Sequence, residues 1–294
     1  MECRTAPSTP SEPSEPSDRF GPSEQSEPSG QSDAGGPSGS AASAARPPLV
    51  RELLLVAGLF LLYKLGRTLT SGHTAEAFLD ADRVWGWERA LRLPDEGAVQ
   101  SVLLHGDLPV HLANVHYATV HFPATAAFLV WLYLRRPAHY VWARRVLAAV
   151  TAAALLLHLA FPLAPPRMLE TAGLVDTGQV YGPTVYSAAP ATDSLANQFA
   201  AMPSLHFGWA LVVAIGLIAA TSSRWRVLWL LHPLVTLLVI VGTANHYWLD
   251  SIVAGGLVGV ALAVIRVPRP VAATARRPVG LTAVEEPVPA GAGR

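Results

Sequence analysis

Thiols are almost absent from this sequence: of 294 residues one is cysteine, Cys3, close to the start of the chain. That rules out an intrachain disulfide framework, a cysteine nucleophile in the main body and a zinc site built on thiolates. Charge is scarce too. Lysine, arginine, aspartate and glutamate make up 14% of the chain, against about 25% in a soluble domain. The two signs cancel to a formal net charge of +0, so no overall field draws the chain to nucleic acid and no such partner is expected. The first 45 residues lack the apolar run that a secretory signal needs. What the chain has in quantity is hydrophobic residues, 51% of the total, gathered into long blocks.

Those blocks divide the chain. Residues 1–46 are built from Ser, Pro, Glu and Gly, with SEP recurring, and carry too little apolar surface to offset the entropy of ordering. They read as a disordered tail, as do the Pro- and Arg-rich residues 267–294. Between them, 47–266 reads as an all-α, six-span transmembrane helical bundle. The spans are expected at Pro48–Leu65, Leu108–Leu134, Tyr140–Phe161, Pro203–Thr221, Val227–Thr243 and Tyr247–Ile265. Pro123 is expected to kink the second span. Within 66–107, Phe78, Ala81, Trp85 and Leu91 fall near one face of a helix, which predicts an extra amphipathic helix in the first outer loop, ended by Pro94.

Arginine placement orients the bundle. Arg135, Arg136, Arg144 and Arg145 cluster around the turn between spans two and three, Arg224 and Arg226 lie between four and five, and Arg266 and Arg269 follow six. With Arg46 and Arg51 before span one, all map to one side, which predicts cytoplasmic termini in the plasma membrane.

The residues with chemical capacity then fall on the other side. His206, in MPSLH, lies one turn into span four, behind Pro203 and Ser204, where free N–H groups and the helix dipole favour an anion. His246, in NHYWLD, opens span six, and Asp250 lies four residues on, on the same helical face. A carboxylate there can orient a histidine for attack on phosphorus, or the pair can simply cap a helix at the interface. Ser204 can cap span four or donate to a phosphate oxygen. Arg167, in the Pro-stiffened run FPLAPPRM, suits phosphate oxygens in bidentate geometry or, alternatively, lipid headgroups. Tyr117, His121 and Asn197 are further candidate phosphate ligands, although polar residues in a bundle also act as interhelical hydrogen-bonding groups.

MPSLH and NHYWLD, their histidines 40 residues apart, resemble two signature motifs of the type 2 phosphatidic acid phosphatase superfamily. SLH in place of the commoner SGH, APPRM, and the run Asn114–Tyr117–His121 are similar to the branch that includes inositol phosphorylceramide synthases. The resemblance implies that His246 is the nucleophile of a phosphohistidine intermediate, Asp250 its partner, and His206 general acid and then base. It further implies that Ser204 and Arg167 bind the phosphoryl group and that no metal or other cofactor is needed. Two features depart from the wider superfamily: Ile240 stands where it has an arginine six residues before the nucleophile, and its first motif is replaced by APPR. The expected activity is that of a lipid phosphatase acting on a phospholipid or isoprenoid phosphate in the bilayer. The alternative is a phosphotransferase that passes a phosphoryl headgroup to a polyol or lipid alcohol. A transporter or a structural role fits less well, because the polar residues gather at one interface and no internal repeat is present.

Overall fold

A backbone in apolar surroundings must satisfy its hydrogen bonds within its own segment, and this chain does so with helices. The computed structural model describes residues 46–69, 74–184 and 198–268; the two tails lie outside these apart from their inner ends. Ten α-helices follow in order among the described residues: α1 (Leu49–Leu69), α2 (Thr74–Ala90), α3 (Glu96–Leu103), α4 (Asp107–Thr119), α5 (His121–Arg135), α6 (Pro137–Ala160), α7 (Thr177–Tyr181), α8 (Leu205–Ala220), α9 (Leu231–Gly242) and α10 (Trp248–Val264). The described residues contain no strand, only an isolated parallel bridge between Leu163 and Ala200.

By length and composition, α6 and the segment Arg224–Gly242 are fit to cross a membrane, and the bent pair α4–α5 makes a third candidate. Helices α8 and α10 are apolar but shorter. Exposed leucines and valines such as Leu54, Leu61, Leu62, Leu231, Leu238 and Val264 make an apolar exterior of a kind that soluble monomers avoid.

Helix α8 is central and packs on α5, α6, α9 and α10. Its Val212 and Val213 meet Phe128 and Leu132 of α5, Val146 and Val150 of α6, and Val258 of α10. In lipid such contacts hold helices by close packing and not by exclusion of water, so small residues at crossings matter. Gly216 is one: a Cβ there would overlap the Phe128 ring. A second cluster packs Ala77, Ala81 and Val84 of α2 against Leu163, Phe199 and Tyr247. A third joins α4 to α9 through Ala113, Tyr117 and Val239–Val241, with Val99 and Leu103 of α3 beside them.

One end of the bundle is basic and pinned by side chains. Arg46 donates to the Leu134 carbonyl at 2.7 Å, Arg136 to Ala220 at 3.1 Å, and Trp142 Nε1 to Ile265 at 3.0 Å. The Arg144 guanidinium pairs with buried Glu52 of α1. The starts of α4, α8 and α10, with their polar side chains, lie at the ends of their helices away from these pins.

Several local features differ from expectation. The bend expected at Pro123 is present, as a 51° break between α4 and α5, but its position is shifted. It falls at Val120, three residues before Pro123, because the proline ring and its missing N–H disturb the preceding turn. The stripe of α2 that is buried is Ala77, Ala81, Val84 and Glu88, with Asp80; Phe78 and Trp85 flank it, and Leu91 lies beyond the helix, 62% exposed. That loop also holds a second helix, α3, capped by the Asp95 carboxylate, which accepts from Gly97 N–H at 3.0 Å. The segment expected as the fifth span opens with a 3-10 turn, Arg224–Leu230.

Candidate active site

The turn from α9 into α10 sets the geometry. Ala244 adopts φ +54°, a left-handed conformation that costs a residue with a Cβ about 1–2 kcal/mol. It lets the N–H groups of Asn245 and His246 both donate back to the Ile240 carbonyl, at 3.0 and 3.1 Å, while Arg167 N–H donates to the Ala244 carbonyl at 2.9 Å. Ile240 is therefore buried, and its carbonyl rather than its side chain serves the turn.

His246 is fixed through one ring nitrogen. Nδ1 lies 2.9 Å from the Ala201 carbonyl and 3.0 Å from Asp250 Oδ2. A carbonyl oxygen can only accept, so Nδ1 carries a proton, and in the neutral ring this tautomer leaves the lone pair on Nε2. Asp250 is wholly buried. Its Oδ2 also accepts from the Tyr247 N–H at 2.9 Å, closing the first turn of α10, and its backbone carbonyl accepts from Ser204 N–H at 3.1 Å, which ties the start of α8 to that of α10.

His206 comes from the first turn of α8. Its ring lies 5.8 Å from that of His246, 4.6 Å from Tyr117, on which it stacks, and 4.5 Å from His121. His121 in turn stacks on Trp209 at 4.8 Å. Ser204 is buried and caps α8, accepting from the Phe207 N–H at 3.4 Å. It is not among the residues that line the adjoining cavity.

That cavity, about 60 Å³, is bordered by His206, His246, Arg167, Tyr117 and His121. Arg167 is held by all three of its nitrogens: Nε donates to Asp176 Oδ2 at 3.1 Å, Nη1 to Asn245 Oδ1 at 2.7 Å and Nη2 to Gln198 Oε1 at 2.9 Å. The structure thus brings His206, His246, Asp250, Arg167, Tyr117 and His121 together. Asn197 lies outside the described residues. Asn114 does not line the cavity; it pins the two ends of α7 by donating to the carbonyls of Thr177 at 2.8 Å and Gly182 at 3.0 Å.

Sequence reasoning missed Gln198, Asp176 and His158. His158 lines the cavity from the end of α6 and donates to the Pro203 carbonyl at 3.2 Å. A histidine in the apolar run of the third span was a signal for it. Gln198 and Asp176 sit in loops with no local signature.

Two histidines, a buried carboxylate and a guanidinium on one small cavity at the end of an apolar helical bundle place the chain in a known class. It belongs to the PAP2 superfamily, which it matches over residues 82–265, and is a multi-pass membrane protein of that lipid phosphatase and phosphotransferase family. Among individual proteins it is 29% identical, over 171 residues, to the inositol phosphorylceramide synthase catalytic subunit of Schizosaccharomyces pombe. The alignment covers 50% of this chain but 37% of that protein's length. No solved structure matches the chain.

Proposed function

We propose that this protein is a lipid phosphatase that acts through a phosphohistidine on His246. The observation that carries the reading is the state of that ring. Nδ1 is committed to two acceptors, so in the neutral ring Nε2 holds the lone pair, in a residue that borders the same cavity as Arg167 and His206. In the first step Nε2 attacks phosphorus and the P–O bond to the lipid breaks, with His206 giving its proton to the leaving alkoxide. In the second, His206 takes a proton from water, the water oxygen bonds to phosphorus, and the P–N bond breaks to release phosphate. Arg167 faces the charge on the non-bridging oxygens, and Ser204 shapes the start of α8 on which His206 sits. Tyr117, stacked on the His206 ring, and His121, tilted against it, fix that ring. These groups supply nucleophile, acid and positive charge, so the reaction is assigned no metal.

A lipid substrate is supported by a second cavity, of about 520 Å³, between α1, α5 and α6. Its walls include Leu53, Phe60, Leu129 and Leu155, and it shares Phe122 with the small cavity. A hydrocarbon tail fits there, with its phosphate at His246; a phospholipid or isoprenoid phosphate has that form. The domain is assigned to residues 47–266, with six spans in the plasma membrane, α2 over the outer face, both termini cytoplasmic and the site outside, on the strength of the arginine bias.

A transferase reading is favoured by the likeness to an inositol phosphorylceramide synthase; an alcohol would then replace water in the second step. Purified protein in mixed micelles, given phosphatidic acid with a chelator and with or without inositol, tests both. Release of inorganic phosphate that survives chelation and is lost in His246→Ala is the expected result. Transfer to inositol without phosphate release would move the assignment to a transferase, and loss of activity on chelation would overturn the metal-free mechanism.

A further inference from the structure

Behind the His246–Asp250 pair lies a group of buried charges that the reaction as described does not use. Glu88, near the end of α2, and Glu96, in the first turn of α3, are both fully buried. Glu88 Oε1 accepts from the Leu249 N–H of α10 at 2.8 Å, across 161 residues of sequence. Leu249 precedes Asp250, and its N–H is one of the donors that the start of a helix leaves without an internal partner. Two carboxyl groups thus serve the first turn of α10: Asp250 takes the Tyr247 N–H and Glu88 takes that of Leu249.

The rest of the cluster fixes where the protons are. Arg89 Nη2 lies 2.5 Å from Glu96 Oε2 and 3.6 Å separates Arg89 Nη1 from Asp95 Oδ1, while Glu88 Oε2 is 3.9 Å from the same guanidinium. Glu96 therefore has its counter-ion. Glu88 Oε2 and Glu96 Oε1 are each buried with no donor among the described residues, and the one Arg89 nitrogen that touches both carboxyl groups brings them together. Two carboxylates facing one another in a dry site repel; one proton between them removes the repulsion and satisfies both oxygens.

We propose that Glu88 is a positioning residue that works as a neutral carboxylic acid: it donates to Glu96, accepts from Leu249, and clamps α2 and α3 onto the start of α10 without adding a second negative charge beside Asp250. The charged and titratable groups around it agree. Glu96 faces it from α3, Arg89 from its own helix, and Asp250 and Tyr247 from the α10 side. Burial first, then the hydrogen bond with Glu96, push the Glu88 carboxyl up to about 9; the Leu249 N–H opposes this, and the charges of Glu96 and Asp250 add to it.

The consequence for stability has a definite sign. Between about pH 4.5 and about pH 9 the folded chain holds a proton on Glu88 that the unfolded chain has lost, so stability falls as pH rises through that window and levels off above it. Glutamine copies the protonated acid, with an N–H for Glu96 and an oxygen for Leu249, and has no proton to lose. Melting of the full chain in detergent micelles is therefore expected to place Glu88→Gln above wild type at about pH 8, with the gap closing towards about pH 5. A gap of the same size at both pH values, or a Glu88→Gln protein that melts below wild type at the higher pH, overturns the protonated state.

The positioning role rests on the phosphatase reading and has its own arm. With phosphatidic acid in micelles, Glu88→Ala leaves the Leu249 N–H and Glu96 Oε1 without a partner and is expected to lose about tenfold in rate per folded molecule at neutral pH, the effect of about one buried hydrogen bond at the site. Glu88→Gln is expected to rescue it and to lose less activity than wild type on the alkaline side. Equal rates for Glu88→Ala and wild type, or no rescue by glutamine, overturn the role. If wild type hydrolyses no phosphate ester, the phosphatase reading fails, and the melting curves still decide the proton on Glu88.

Discussion

Asp250→Asn separates two things a carboxylate can do for a histidine: fix its tautomer and stabilise its positive charge. In serine-protease triads the same change costs about 10⁴ in rate, because the amide leaves the imidazole in the wrong tautomer. Here the Ala201 carbonyl also accepts from His246 Nδ1, at 2.9 Å, and holds the tautomer without Asp250. What asparagine forfeits is the charge on Oδ2, which lies 3.0 Å from Nδ1. A hydrogen bond to a charged group is worth about 1.5–3 kcal/mol against about 0.5–1.5 kcal/mol for a neutral one. The difference, about 1–2 kcal/mol, lowers the rate about 5- to 30-fold at 1.36 kcal/mol per factor of ten. Initial rates on phosphatidic acid micelles, normalised to folded protein, measure it. A loss beyond about 10³ would mean that Asp250 alone sets the tautomer, and a loss below about twofold would mean that its charge does not reach the reacting nitrogen.

Other substitutions probe the same frame. Arg167→Lys replaces a fork that serves Asp176, Asn245 and Gln198 with one ammonium, and each buried acceptor left unpaired costs about 1–3 kcal/mol; a lower melting temperature and a raised KM are expected, and an unchanged KM would remove Arg167 from phosphate binding. Ala244→Gly relieves the left-handed backbone at φ +54° for a gain of about 1–2 kcal/mol, less about 0.5–1 kcal/mol of chain entropy, so the melting temperature should rise slightly; a fall would mean that the Ala244 methyl packs better than it strains. Gly216→Ala forces a methyl into Phe128 and should cost about 1–3 kcal/mol of stability with no change in rate per folded molecule.

Much of this was legible in the sequence because the signals are local. Apolar runs locate the helices of the bundle, and a spacing of four put Asp250 beside His246 with no knowledge of the fold. The basic end of the bundle also follows from counting arginines. What was not legible depends on contacts distant in sequence. The Arg167 partners Gln198 and Asp176 have no motif, since they meet it only once the loops after α6 and before α8 come together. Nothing within the sequence of α2 shows that Glu88 reaches Leu249, 161 residues away. The same limit applies to α3, whose eight residues are too few to give a strong periodic pattern. Ser204 stood between two readings, and its geometry is that of a helix cap.

The central claim is a covalent bond between phosphorus and His246 Nε2. Rapid quenching in base after mixing the protein with a lipid phosphate labelled at phosphorus tests it directly, since a phosphohistidine survives base and is lost in acid. Acid-labile label is expected on the peptide containing His246, absent in His246→Ala and more abundant in His206→Ala when the leaving group is good enough to need no acid. Turnover without any label on His246, or label that stays after His246→Ala, would contradict it.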